Sequence, residues 1–319
     1  FKALVKNRVL FKNCFANGDR SDKGIAAIMS GFPAMPDFSI LQYPGKTQKL
    51  PFISKELNKN GYNTSFYYGG NPNFANIKSY LLTAGFEKII SSSDFKKDEI
   101  TAKWGVHDHI VFDKLLKDIE TEAQPFFKVL FTLSSHDPFD IPEQYHFTNR
   151  GDDSKYLSSI YYTDKALGTF FQKVKKTNKW KNTIFILVAD HGNLRPGNSG
   201  HYAEESFRIP LLFCGGALSK TDTIFSNYIS QADIAASVLG QLKMNADSFR
   251  YSKNIFSKIT QSFSFYTFNN GFGFFTDSAK VIWDHIPKNY ISFEGSNAQK
   301  DSEKGKAFLQ VVYENFLSQ

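Results

Sequence analysis

Three short apolar runs limit what this chain can fold into more than any other feature. They occupy residues 126–133, 183–189 and 209–213, and each stands between stretches with helical spacing. Apolar runs of this length, bounded by turn residues, read as strands covered on both faces. That is the pattern of a parallel sheet with helices on either side. The first run is broken only by Lys128 and Thr132 and stops at Ser134-Ser135-His136. The second stops at Asp190-His191-Gly192, and the third is soon followed by Gly215-Gly216. In open α/β sheets ligands bind beyond the carboxyl ends of strands, so these run ends are where chemistry is expected.

The rest of the chain agrees with that frame. Helical spacing covers residues 50–60, ending before Gly61, with Pro51 suited to the first turn. A β-rich run at 63–68 ends in Gly69-Gly70 and is followed by a helical stretch at 73–82 and a short strand at 86–90. Residues 108–119 place Phe112, Leu115, Leu116 and Ile119 on one helical side. Residues 156–175 and 231–242 are further helices. After about Ala246 the texture changes. Residues 263–268 and 272–276 flank Asn269-Asn270-Gly271 as a hairpin. Residues 280–283 and 290–293 continue as antiparallel strands, and 302–317 form a closing amphipathic helix. The expected fold is α/β, a mostly parallel central sheet flanked by helices with a C-terminal antiparallel extension. Residues 1–246 form the core and 247–319 the extension, within one domain.

Composition narrows the function classes. Apolar residues at 41% against 22% charged exclude a disordered chain. No apolar stretch approaches the ~18 residues of a membrane-spanning helix, and no signal-peptide order opens the chain. It begins at Phe1 and so reads as a fragment of something longer. A net charge of +7 reads as a lysine-rich solvated surface; its sharper reading is attraction to anionic substrates or lipid headgroups. No RNP-like, zinc-finger or arginine-rich signature is present, so nucleic acid is not an expected partner. Cys14 and Cys214 are the only cysteines, too few for a metal quartet or a disulfide framework. The 33 Phe residues point to a core that uses Phe where other proteins use Leu.

Four places could carry chemistry. Asp190 and His191 put a hard carboxylate and an imidazole side by side at a strand end, which suits a divalent metal; the bland alternative is a helix cap beside a surface histidine. His136 follows another strand and could donate to an anionic substrate, or be a loop histidine near Pro138. Ser21 lies at a helix start within Asn17-Gly18-Asp19-Arg20-Ser21-Asp22-Lys23-Gly24. It is either an N-cap or an activated nucleophile facing an anion held by the helix N-terminus. His201, ten residues beyond His191, could return to the site or lie on a surface loop. His107-Asp108-His109 opens a helix, where residues two apart diverge, and reads as structural. His146 and His285 have no supporting context.

Six segments in order resemble the alkaline phosphatase superfamily, most nearly its lipoteichoic acid synthase and sulfatase-like membrane-enzyme branch. They are NGDRSDKG (17–24), SGFPAMP (30–36), WGVHDH (104–109), FTLSSHDPF (131–139), VADHG (188–192) and FRIPLLFCGG (207–216). SQADIAASVLG (230–240) resembles that family's helix after the core. The resemblance implies a metal-dependent phosphotransferase or phosphodiesterase working through a covalent phospho-enzyme. It carries the nucleophile onto Ser21, metal ligation onto Ser21, Asp190 and His191, and substrate contact onto His136, with His201 a further carry-over. Lys23 could neutralise an ester anion as a point charge. The implied cofactor is a divalent metal, manganese in the synthase branch, with zinc, magnesium or calcium as alternatives. The implied partner is a phosphate or sulfate ester, lipid-linked in that branch. The implied setting is the extracytoplasmic face of the membrane or the periplasm, with anchoring through a segment absent from this chain.

The family's first strand ends in an acidic metal ligand, and no such strand precedes Phe1. The synthase W-N-R substrate motif is matched by Tyr68-Gly69-Gly70-Asn71, without an Arg. Ser21 is followed by Asp22-Lys23-Gly24-Ile25, lacking the C/S-x-P-x-R setting of sulfatases proper. A sulfatase is therefore the runner-up enzyme. A binding or regulatory module that has lost its metal is the reading from another class.

Overall fold

The computed structural model describes residues 8–197, 199–219 and 222–319. The chain opens with strand β1 (Val9–Phe15) and helix α1 (Ser21–Ser30), followed by α2 (Ile53–Lys59), β2 (Asn63–Tyr68), α3 (Ile77–Thr83) and β3 (Lys88–Ile90). Next come α4 (Asp108–Thr121), β4 (Phe126–Phe131), α5 (Asp153–Val174), β5 (Phe185–Val188), β6 (Arg208–Cys214), β7 (Thr223–Ser230) and α6 (Ile234–Gln241). The C-terminal part holds β8 (Phe263–Phe268), β9 (Gly271–Thr276), β10 (Ala279–Asp284), β11 (Asn289–Gly295) and the closing helix α7 (Ala298–Ser318).

The fold is α/β, with three sheets among the described residues. One is wholly parallel in the order β3-β2-β4. The second has the order β5-β6-β1-β7, in which β1 and β7 are parallel while β6 runs antiparallel to both β5 and β1. The third is the antiparallel meander β11-β10-β9-β8 expected from the C-terminal texture. The run at 209–213 was expected to join a parallel sheet, and its direction is a correction. A parallel crossover needs a covering helix, and the connection into β6 carries only one turn, Glu204–Phe207. The run is apolar because both its faces are covered. Ile209, Leu211 and Phe213 face one core, while Leu212 and Cys214 face another. That pattern is blind to strand direction.

The other two runs also depart from expectation. Every residue of β4 and β5 is only half-buried. Each is the outer strand of its sheet, bonded on one side alone. Two strands escape sequence reading. β1 is interrupted by Lys12 and Asn13, and β7 mixes half-buried with exposed positions until Ile229 and Ser230, which are buried. Pro51 lies outside its helix, which starts at Ile53. Residues 73–76 do not form regular α-helix, since Ala75 and Asn76 take positive φ and α3 begins at Ile77.

Aromatic side chains weld the C-terminal part to the rest. Phe15 and Phe207 share a buried cluster with Tyr266, Phe268 and Phe275, and the Phe207 and Tyr266 rings stack at 4.2 Å. Hydrogen bonds do the same beside the site. Thr267 N–H donates to the Asn17 carbonyl at 2.9 Å, and Asn17 Nδ2 donates to the Phe265 carbonyl at 3.0 Å.

Candidate active site

Helix α1 begins where β1 ends, after the loop 16–20. Its N-cap is Arg20, in extended conformation and without a side-chain cap. Ser21 is therefore the first helical residue. Its hydroxyl donates to Asp190 Oδ2 at 2.6 Å instead of capping the helix. The N-cap alternative for Ser21 is thus replaced by a contact between residues 169 positions apart. Asp190 reaches it from the carboxyl end of β5.

Two glycines permit that approach. A Cβ on Gly24 would lie 1.9 Å from the Asp190 carbonyl oxygen, so only glycine lets α1 sit this close to the strand end. A Cβ on Gly192 would lie 2.0 Å from the Ser206 carbonyl oxygen. Gln231, fully buried, holds the same turn. Its Nε2 donates to the Ala189 and Asp190 carbonyls, each at 2.7 Å, and its Oε1 accepts from Asn17 N–H at 3.3 Å. Asn17 Oδ1 in turn accepts from Ala232 N–H at 2.8 Å. One side-chain network thus ties the α1 loop, the β5 end and the start of the 231–241 helical segment together.

His191 is oriented by its own backbone. Its Nδ1 lies 2.6 Å from the Gly192 carbonyl, which can only accept, so Nδ1 carries the proton. In the neutral ring Nε2 then keeps its lone pair; it lies 3.5 Å from Asp190 Oδ2. The Ser21 hydroxyl and the His191 Nε2 thus both lie against the Asp190 carboxylate, at 2.6 and 3.5 Å. This donor set suits a divalent ion such as manganese or zinc. The residues fit as three ligands. Among the described residues no cluster of three or more His, Cys, Asp or Glu is present, so the hydroxyl of Ser21 is needed to make up the set. Tyr68 stands nearby. Burial first, and then the Asp190 charge, push its phenol pKa up and keep it a donor.

Ser21, Asp190, His191 and His136 all line one large groove, together with Arg20, Lys103 and Trp104. His136 is exposed, its Nδ1 donating to the Asp137 carbonyl at 2.9 Å, with its ring edge-on to Trp104 at 5.8 Å. Trp104 Nε1 donates to the same carbonyl at 2.6 Å. The loop that carries His136 is fixed from beneath by Asp108. Its carboxylate accepts from Leu133 N–H at 2.7 Å, from Thr163 Oγ1 at 2.9 Å and from Ser134 N–H at 3.2 Å. Burial raises the Asp108 pKa against the downward pull of those donors.

Two expected positions lie elsewhere. Lys23 is buried, and its ammonium bonds Asp19 and the Pro36 carbonyl, each at 3.0 Å, so it braces the loop and does not face the groove. His201 is exposed and lies outside the groove lining. Sequence reasoning missed Asn17, Gln231 and Asp108 as positioning residues. Their signal is a polar side chain inside an otherwise buried segment, which a single sequence does not expose.

The family described as Sulfatase matches residues 1–244, and the chain belongs to that family, within the alkaline phosphatase superfamily. Lipoteichoic acid synthase-like YvgJ of Bacillus subtilis is 25% identical over 210 residues, 63% of this chain and 34% of that protein. The lipoteichoic acid synthase of Staphylococcus saprophyticus is 24% identical over 283 residues, 81% of this chain and 42% of that protein. The chain thus spans well under half the length of these relatives. Among solved structures, a protein of the alkaline phosphatase superfamily from Vibrio parahaemolyticus is 25% identical with a TM-score of 0.86, covering 99% of this chain and 80% of that one. The lipoteichoic acid synthase LtaP from Listeria monocytogenes shares the fold at 18% identity and a TM-score of 0.83, covering 99% of this chain and 85% of that one. Among the described residues no helix is long and apolar enough to cross a membrane.

Proposed function

We propose that this chain carries the catalytic site of a metal-dependent phosphotransferase or phosphodiesterase. The observation that supports it is that the Ser21 hydroxyl and His191 Nε2 both approach Asp190 Oδ2, at 2.6 and 3.5 Å, in the lining of one groove. A divalent ion held by Ser21, Asp190 and His191, with manganese as first candidate, would supply Lewis acidity and lower the pKa of the hydroxyl. Ser21 Oγ attacks the phosphorus of a phosphodiester, and the departing alcohol takes the bonding electron pair. The Ser21 proton passes along its existing hydrogen bond to Asp190 Oδ2. As an imidazolium, with Nδ1–H on the Asp137 carbonyl, His136 would donate from Nε2 to a phosphoryl oxygen or to the leaving group. Arg20 and Lys103 on the rim attract the anion. An acceptor alcohol or water then attacks the phosphoserine and frees Ser21.

Relatives named as lipoteichoic acid synthases and phosphoglycerol transferases favour a lipid-linked phosphate ester as substrate. They also favour action on the extracytoplasmic face of a membrane. Sulfate-ester hydrolysis is the second reading and uses the same residues. The Asp22-Lys23-Gly24-Ile25 sequence after Ser21 counts against it.

The test is elemental analysis for metal together with turnover of a chromogenic phosphodiester under manganese supplementation. Ser21→Ala and Asp190→Ala should each lower turnover at least ~100-fold, the scale of losing a nucleophile or its activation. Absence of metal and of turnover in the parent protein would favour the non-catalytic reading.

A further inference from the structure

His136 stands on a loop that needs bracing from outside. Phe139, three residues further on, takes φ 64°, a left-handed backbone that bulky residues rarely adopt. Its N–H closes a turn onto the His136 carbonyl at 2.7 Å. A residue held this way costs about 1–3 kcal/mol and persists only where its surroundings over-determine it. Ahead of His136 the Asp108 carboxylate supplies that support, through the Leu133 and Ser134 N–H groups. Behind it the support comes from the turn 102–105. Backbone bonds between Ala102 and Gly105 close this turn in both directions, at 3.0 and 3.1 Å. It is seated on the end of β2, where Gly105 bridges Gly70 and Val106 N–H donates to the Gly69 carbonyl at 2.9 Å. From this seat Lys103 N–H donates to Asp140 Oδ2 at 2.9 Å, and Trp104 Nε1 donates to the Asp137 carbonyl at 2.6 Å.

Burial does not account for an indole at position 104, because 47% of Trp104 is exposed. Its N–H does something that no other aromatic hydrocarbon ring could do. The Asp137 oxygen it reaches is the one that accepts from His136 Nδ1 at 2.9 Å. A carbonyl oxygen has two lone pairs, and these two donors occupy both. The His136 ring also stands edge-on to the indole, at 5.8 Å and 81°. The imidazole is therefore held at one nitrogen and against one face, and both holds run through Trp104. We propose that Trp104 is the positioning residue of His136. It fixes the Asp137 carbonyl, the carbonyl keeps the proton of the neutral ring on Nδ1, and Nε2 is left as the nitrogen that serves the groove. The effect on rate rests on the proposed role of His136 toward a phosphate; the effect on its tautomer does not.

Imidazole nitrogen NMR tests it. Trp104→Phe keeps a ring beside His136 and removes the donor, whereas Trp104→Ala removes both. The His136 signals are identified by their loss in His136→Gln. At alkaline pH, with the ring neutral, the parent should carry its proton on Nδ1. Trp104→Phe should show a mixture of the two tautomers, and Trp104→Ala a larger share of Nε2–H. In turnover of a chromogenic phosphodiester under manganese, Trp104→Phe should lower kcat about 10-fold. Trp104→Ala should lower it about 100-fold, the scale of a 1 Å misplacement. KM should stay within about twofold in both, because the interaction acts on the reacting geometry and not on ground-state binding. Should Trp104→Ala fail to fold, Trp104→Phe carries the test, with a thermal melt to show that its fold is kept. A parent His136 protonated on Nε2 would overturn the proposal. So would a tautomer unchanged in both variants, or a loss of turnover carried by KM alone. A parent without turnover would refute the proposed reaction, and the imidazole spectra would still decide this inference.

Discussion

Replacing Gly24 with alanine tests whether the contact between α1 and the β5 end is what makes the site. The added Cβ would stand 1.9 Å from the Asp190 carbonyl oxygen and 2.7 Å from its carbonyl carbon. Ordinary van der Waals contact begins at 3.4 Å, so helix and strand end must separate by 1.5 Å. Neither neighbour can swing aside, because the atoms it meets are backbone, and Gln231 holds that backbone at 2.7 Å. Ser21 sits one helical turn away on the same rigid element. Its 2.6 Å bond to Asp190 would stretch to about 4 Å, beyond hydrogen-bond reach. Overpacking of this kind costs about 1–3 kcal/mol of stability. A misplacement near 1 Å at a reacting group costs about 100-fold in rate. Gly24→Ala should therefore keep its fold, with a Tm lowered by several degrees, and lose about 100-fold in turnover of a chromogenic phosphodiester. Thermal melts and kinetics on the same preparation separate the two effects. Turnover within threefold of the parent would refute the reasoning, because the Ser21–Asp190 distance would then not govern activity.

Gly168→Ala is the counterpart: nothing lies within 4 Å of its added Cβ in the interior of α5, so a gain of about 0.5–1 kcal/mol is expected in denaturant melts, with turnover unchanged. Gln231→Leu keeps the bulk but leaves the Ala189 and Asp190 carbonyls unpaired; a loss of about 2–3 kcal/mol is expected, with at least tenfold slower turnover. Stability equal to the parent's would show that the clamp is dispensable. Glu122 gives a pH signature. Burial pulls its pKa up, but the ammonium groups of Lys128 and of Lys88, the latter at 3.0 Å, outweigh that and hold it below the usual carboxylate range. A pKa lower in the folded state gives stability that is present above the unfolded value, about 4.3, and lost as pH falls through the folded one. The stability gap between the parent and Glu122→Gln should be flat near neutral pH and close on acidification below about 4.3; a widening gap there would contradict the pairing.

Local pattern carried much of this protein. The strand at 63–68, the hairpin around Asn269-Asn270 and the helices at α4, α5 and α7 follow from apolar period, turn chemistry and length, all properties of neighbouring residues. Ser21, His136, Asp190 and His191 stood out because each follows a strand or opens a helix, and the sheet rule makes such positions candidates for a site. Tertiary structure decided what local pattern cannot hold. The direction of β6 depended on a connection without a covering helix. The half-exposure of β4 and β5 depended on what lies beside them in the sheet, which an apolar run does not state. Lys23, which looked like a substrate cation, is spent on Asp19 and the Pro36 carbonyl because α1 packs it inward. The contact that unites the site joins residues 169 positions apart, through a helix that approaches a strand end closely enough only at a glycine. Residue type and local spacing named the candidate groups; long-range packing brought Ser21 and Asp190 within 2.6 Å, because only the folded chain can set the distance between segments so remote in sequence.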